Sequence, residues 1–483
     1  MGPGKLSYTP KGLYIGGAWL RGAAGKSFVT VNPATGERLA EVPWAGGEDV
    51  QLAVEAAKRG FAEWRGLPSW DRARQIEQLA DRISEHIDEL ALMDSYDSGN
   101  TISGMRNDVK ASVVALKFFA GLAREMKGET LDTGANRLNY TLRQPFGVVA
   151  KINPFNHPFR FAAEKAAAPL VAGNSLIIKP PEQAPLSSLR FAELCEGLFP
   201  PGVVNVISGD AVAGSALVQH PDVRRIAFIG SVETGRIIAR EAAREIKTVS
   251  LELGGKNPII IFPDADVDRA VTAVLKGMNL NRQGQSCSST SRVFVHERLH
   301  DQVVKRLVEA AEAVKVGMPW EDGTEMGPVV SQEQFDRVIG YIDAGRREGA
   351  ALLTGGGRPK GRELERGYFI APTVFDGVRS DMRIAREEIF GPVMSVLTWS
   401  DYERMLEEVN AVIYGLTAAI VTNDLKLAHQ TAERVEAGYV WVNSAGHFLG
   451  APYGGWKQSG IGREECLDEL LSYTQVKNVN VAW

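Results

Sequence analysis

The 483-residue sequence predicts an α/β protein with two doubly wound parallel sheets and a β-hairpin outside them. Three features of the chain lead there. Short β-branched runs alternate with amphipathic stretches of helical length, in two successive blocks. The runs are continuously apolar, as strands are when helices cover both faces of their sheet. The segment 125–147 breaks this rhythm and alternates with a period of two.

The elements follow in chain order. EDVQLAVEAAKRGFAEW is one early amphipathic helix. DRARQIEQLADRISEHIDELALM predicts a second, a single helix over 71–93 with Ile76, Leu79, Ile83, Ile87 and Leu90 on one face. VVAKI at 148, SLIIK at 175, VVNVI at 203, RIAFI at 225 and TVSLE at 248 read as the strands of a first sheet. NPIIIF, SRVFV, VMSVLTW, LTAAIV and GYVWV read as those of a second, with a boundary near 250. EMKGETLDTGANRLNYTLRQPFG reads as a hairpin and the closing SYTQVKNVNVAW as a strand. Outside both sheets they would suit oligomerisation; the pattern equally allows them to finish one of the sheets.

Composition excludes several classes. Hydrophobic residues make up 44% and charged residues 23%, ordinary for a globular chain with a substantial core. The net charge of −5, with both signs interspersed, suggests no nucleic-acid partner and no polybasic membrane contact. No apolar run approaches a membrane span. The opening MGPGKLSYTP has no apolar signal core, and Leu6 stands where a myristoylation signal has Ser or Thr. Cys195, Cys287 and Cys466 lie far apart with no C-x-x-C, which argues against a disulfide framework or a zinc–thiolate site. A reducing cytoplasm is the expected location. HERLH, His296 to His300, matches a zinc-protease string but directly follows a strand, so no metal is expected. GKS at 25–27 lacks the rest of a P-loop and reads as a turn.

The chemistry gathers at predicted strand ends. Cys287 stands in GQSCSSTSR among small polar residues, which suit a tight turn or helix start better than a core helix. Free N–H groups there would lower its pKa and make it a nucleophile, whereas a lone cysteine is otherwise a small core residue. Glu252 in LELGGK ends the fifth strand, where a carboxylate can act as general base and paired glycines admit a ligand. Asn156 in INPFNHP follows the first strand and could donate to an oxyanion together with the Cys287 N–H. Lys179 and Glu182 in IIKPPE follow the second strand and suit the hydroxyls of an adenosine ribose, with NAD favoured over NADP. Gly230 and Ser231 in FIGSVETG lead from the fourth strand into a helix whose N-terminus can face a pyrophosphate. Ligands of open α/β sheets bind at such strand ends. No G-x-G-x-x-G follows a strand.

In combination PFNHP, KPPE, FIGS, LELGGK, GQSC, EEIFGPV and YGGWKQSGIGRE resemble the aldehyde dehydrogenase superfamily, from NPATGE to SYTQVKNVNV. The resemblance implies two Rossmann-like domains and an oligomerisation element. Residues 1–122 and 146–250 would bind NAD, 251–456 would carry the nucleophile, and 123–145 with 470–483 would join protomers into a homodimer or homotetramer. It also implies a mechanism. Cys287 attacks an aldehyde to form a thiohemiacetal, and Asn156 and the Cys287 N–H hold the oxyanion. Hydride leaves for NAD, and water activated by Glu252 hydrolyses the thioester. Lys179 joins these catalytic residues. The implied cofactor contacts are Ile152, Phe155, Lys179, Glu182, Gly209, Gly230, Ser231, Leu253, Glu388 and Phe390. The implied substrate pocket comprises His157, Phe161, Glu164, Ser286, Ser288, His447 and Phe448.

Some positions depart from the family pattern. His157 stands where the family commonly has an aromatic residue, and Glu164 where it often has Trp. Glu164 could receive a cationic aldehyde or could pair with Lys165, and Arg160 is a candidate for a carboxylate-bearing one. Glu252 counts against the CoA-acylating branch, the cofactor motifs against a simple thiol hydrolase, and the complete site against a non-catalytic binding protein.

Overall fold

The computed structural model describes residues 6–483; the Met1–Gly2 opening lies outside the described residues. An eight-stranded sheet forms the first half. Its five central strands are parallel, in the spatial order Val204–Val206, Ser175–Lys179, Val148–Ile152, Val223–Ile229, Thr248–Glu252. Antiparallel Leu13–Ile15 and Ala18–Leu20 extend one edge, and the short strand Gly460–Ile461 closes the other. Every residue of Ser175–Lys179 is buried, because helices Gly47–Trp64 and Pro158–Val171 lie against it. That accounts for its continuous apolar character. The parallel strands start in the middle at Val148–Ile152, step outward through Ser175–Lys179 to Val204–Val206, then return to the other side of Val148–Ile152. The order therefore switches between Val148–Ile152 and Val223–Ile229, where ligands bind in open α/β sheets.

The second sheet has seven strands, in the order Ala351–Thr354, Thr373–Asp376, Val393–Trp399, Arg292–His296, Pro258–Ile261, Thr417–Val421, Tyr439–Val442. Ala351–Thr354 alone is antiparallel to its neighbour. It and Thr373–Asp376 escape the sequence reading, being short and partly polar. A three-stranded sheet of Thr130–Leu131, Arg137–Pro145 and Thr474–Ala482 joins neither large sheet.

The helix expected over 71–93 is two helices, Ser69–Ser84 and Ile87–Ser98. The chain leaves helical geometry at His86, with φ −118° and ψ 19°, and His86 Nδ1 bonds Glu89 at 2.7 Å. The apolar spacing runs unbroken across the joint because both helices face the same core. In HERLH, His296 closes a strand and His300 opens a helix, so the pair shares no helix face.

Candidate active site

A cavity of about 220 Å³ opens where the two large sheets meet, lined by Pro154, Phe155, Asn156, Ile229, Gly230, Ser231, Glu252, Gly254, Cys287, Glu333, Gln334, Arg337, Glu388 and Phe390. Cys287 reaches it from a turn, not a helix start. Asn257 holds that turn, its Nδ2 donating to the Cys287 carbonyl at 2.7 Å and the Ser289 carbonyl at 3.0 Å. Gly255 allows the close approach: a Cβ there would lie 2.5 Å from the Cys287 carbonyl oxygen. A Cβ on Gly254 would collide with the Glu388 carboxylate. The Gly255 N–H donates to Glu388 Oε1 at 3.0 Å.

Asn156 follows Val148–Ile152, and Asn100 Nδ2 donates to its main-chain carbonyl at 3.0 Å. The helix after it, Pro158–Val171, has no side-chain cap of its own. Asp94, from Ile87–Ser98, supplies one by accepting from the Phe159 N–H at 3.0 Å. Buried polar groups are normally partnered. Here Asn156 Oδ1 and both Glu252 carboxyl oxygens have no hydrogen-bond partner within the protein.

The electrostatics correct one expectation. Turn N–H groups were expected to lower the Cys287 pKa, but burial pushes the thiol up to about 12. The Tyr453 hydroxyl works against that rise, and the Glu388 and Glu252 carboxylates add to it. Burial also raises Glu252 well above the usual carboxylate range, reinforced by Glu464. It lifts Glu388 to about 7.

Of the cofactor residues read from sequence, Phe155, Gly230, Ser231, Glu388 and Phe390 share the cavity with Cys287, Glu252 and Asn156. The Phe155 and Phe390 rings meet edge to face at 5.8 Å. Ile152, Lys179, Glu182, Gly209 and Leu253 lie outside its lining, on and beside the neighbouring strand ends. Lys179, expected among the catalytic groups, is nearly buried and stands 3.8 Å from Glu182 Oε2.

The expected substrate residues do not form one lining. Ser288 and His447 border a second, smaller hollow with Thr290 and Trp441. Ser286 Oγ lies 3.1 Å from Ser288 Oγ, the Phe161 ring rests against His157 at 5.1 Å, and Phe448 is 67% exposed. Glu164 takes the second of its two readings, pairing with its neighbours. Its carboxylate meets Arg160 Nε at 2.6 Å and Lys165 Nζ at 3.1 Å, and those cations hold it below the usual range despite burial. Lys165 also reaches Glu464 at 2.9 Å. Arg160, the candidate for a carboxylate substrate, approaches Glu465 at 3.6 Å and Asp108 at 4.0 Å as well. Asp108 in turn takes Arg282 at 2.6 Å and His157 Nδ1 at 2.7 Å. Burial leaves His157 near 4, hence neutral.

Several groups at the site carry no local signal. Arg337 and Gln334 come from the helix Gln332–Arg347 and bond the main-chain carbonyls of Glu388 and Phe390, each at 2.7 Å. Tyr453, in the YGGWKQSGIGRE stretch, places its hydroxyl 3.8 Å from Cys287 Sγ.

The site is thus a sheet-end cavity between two α/β sheets, with a cysteine, a buried glutamate and glycine-lined walls. The aldehyde dehydrogenase family profile matches residues 19–479. An aldehyde dehydrogenase, tropH, of Talaromyces stipitatus is 48% identical over 97% of this chain and 93% of that protein. A hydroxyisobutyraldehyde dehydrogenase of Mycolicibacterium austroafricanum is 42% identical over 98% and 94%. The NAD+ complex of an aldehyde dehydrogenase from Bacillus cereus superposes with TM-score 0.95 at 43% identity, covering 99% of this chain and 97% of that one. The chain belongs to the aldehyde dehydrogenase family, whose general reaction is the oxidation of aldehydes to acids. Among the described residues no helix is long and apolar enough to cross a membrane.

Proposed function

We propose that this protein oxidises an aldehyde to its carboxylic acid with NAD, through a thioester on Cys287. One observation carries the reading: Cys287, Glu252 and Asn156 share a cavity with Gly230, Ser231, Glu388 and Phe390.

The residues fit the cofactor. A Cβ on Gly230 would collide with the Phe228 ring, so that corner of the cradle stays open only for glycine. Ser231 caps the twelve-residue helix Val232–Ala243, whose N-terminus favours an anion. Glu388 offers a carboxylate at the cavity wall for a ribose hydroxyl. Lys179 and Glu182 stand at the next strand end, and the exposed Glu182 carboxylate opposes a 2′-phosphate, which supports NAD over NADP. When bound, NAD supplies the acceptor for the aldehyde's hydride.

The chain's own residues do the rest. Cys287 attacks the carbonyl carbon as a thiolate. The Asn156 amide and the Cys287 N–H stabilise the oxyanion. Glu252, with both oxygens free of protein partners, takes a proton from the water that cleaves the thioester. Glu164 and Arg160 are committed to each other and to Lys165, Asp108 and Glu465, which supports an aldehyde without formal charge. The hydroxyaldehyde named for the Mycolicibacterium relative is of that kind. The domain limits 1–122 with 146–250, 251–456, and 123–145 with 470–483 belong to the same proposal. So does a cytoplasmic homodimer or homotetramer joined through the three-stranded sheet.

The test is NADH formation by the purified protein with NAD and a panel of neutral, amino- and carboxy-aldehydes, with and without CoA. Turnover without CoA, best on neutral aldehydes, is expected. Turnover only with CoA would move the chain to the acylating branch, and silence throughout would refute the activity.

A further inference from the structure

Cys287 has a proton-donating neighbour that the mechanism above does not use. Tyr453 Oη stands 3.8 Å from Cys287 Sγ, within hydrogen-bonding reach of sulfur. The tyrosine is 7% exposed and its position is well constrained. Its main chain pairs with Glu464 in both directions, the Tyr453 N–H donating at 3.0 Å and its carbonyl accepting at 2.7 Å. Its ring packs between those of His447 at 5.0 Å and Tyr439 at 5.7 Å. The following residue, Gly454, lies against Glu252: a Cβ there would come within 2.9 Å of Oε1. Tyr453 thus stands beside the sulfur, and the residue after it beside the carboxylate.

We infer that Tyr453 is a further catalytic residue, its phenol O–H donating a hydrogen bond to the Cys287 thiolate. The inference rests on Cys287 as the nucleophile. The physical need for such a donor is clear. The sulfur sits in a desolvated wall, and the ionisable groups facing it are the Glu252 and Glu388 carboxyls, both of which oppose a second negative charge. A neutral donor stabilises the thiolate without contributing charge of its own. Tyr453 stays protonated throughout, because burial and the neighbouring Cys287 and Glu252 raise its own pKa well above the usual phenol value. Hydrogen bonds to charged acceptors are the stronger ones.

Tyr453→Phe removes one oxygen and keeps the ring between its neighbours. The readout is the rate of iodoacetamide alkylation at Cys287 at fixed pH between about 7 and 9, followed by mass of the labelled peptide. The rate is expected to fall about tenfold, as the thiolate fraction does when its donor is lost. NAD binding and thermal midpoint should hold, showing that the fold is intact. The NADH burst should slow about as much. An unchanged alkylation rate in a folded variant would overturn the hydrogen bond. A slowed alkylation alongside full turnover of Cys287→Ser would leave the bond standing but overturn the catalytic role, because the nucleophile itself would then be wrong.

Discussion

Glu252 and Glu164 are both buried glutamates, one ending a strand of the first sheet and one on a helix packed against it, yet their surroundings are opposite. Glu252 ends a strand at the cavity with neither oxygen partnered, and burial raises its pKa. Glu164 lies within a helix, gripped by Arg160 and Lys165, and its pKa is lowered. The contrast extends to their neighbourhoods. Around the cavity, polar atoms are left open for something outside the protein. Behind it, Asp108, His157, Arg160, Glu164, Lys165, Arg282, Glu464 and Glu465 form one network of opposite charges. Of these two glutamates, only the one at the cavity leaves its carboxylate open to a bound molecule.

The strongest challenge to that contrast is Cys287→Ser, which should cut dehydrogenase turnover by at least about 10³-fold while NAD binding, followed by fluorescence quenching, persists. Substantial turnover in the variant would separate the cavity from the chemistry.

Next is Glu252→Gln, expected to lower the steady-state rate about 10²-fold and to leave a burst of NADH equal to the active sites. The pH dependence has a definite sign. Glu252 works as a base only when ionised, and burial raises its pKa, so deacylation in the wild type should climb with pH beyond the range of an ordinary carboxylate. A steady-state rate flat across that range, or unchanged in the variant, would remove Glu252 as the base.

Glu164→Ala should act on stability instead. It takes one carboxylate from Arg160 and Lys165, which keep Asp108, Glu465 and Glu464, at a cost of about 1.5–3 kcal/mol, read as a lower midpoint in urea. Glu164 and Asp108 are both depressed in the folded protein. The stability they contribute is complete above roughly pH 5 and is lost as the pH falls through their folded values. A variant of normal stability with a changed aldehyde preference would instead return Glu164 to the substrate pocket.

The smallest expected effect is at the cofactor's far end. Glu182→Gln should reduce the NAD-to-NADP preference about tenfold in kcat/KM, since only one exposed carboxylate is neutralised. A wild type that already prefers NADP would reverse the assignment.

Much of the fold was legible because burial on both faces leaves a local mark. VVAKI, SLIIK and RIAFI read as strands for that reason, and Glu252, Asn156 and Cys287 stood out at their ends or in turns. The same logic misled at 71–93, where two helices share one core and the spacing continues through the break at His86. It also missed Ala351–Thr354, an edge strand with only partial burial. The low thiol pKa inferred for GQSCSSTSR failed because local N–H groups were weighed without the burial that outweighs them.

The sequence by itself determined the alternating α/β blocks and which residue types stand at the strand ends, since both follow from local periodicity and turn chemistry. Only the tertiary structure decided which ends are neighbours. Val148–Ile152 pairs with Val223–Ile229 across the switch in strand order, and that pairing brings Asn156 beside Gly230. The helix Gln332–Arg347 contributes Arg337, a distant loop contributes Tyr453, and Glu464 from the same loop region reaches Lys165. Hydrogen bonds and ion pairs between distant segments depend on separation in space, which no spacing along the chain encodes.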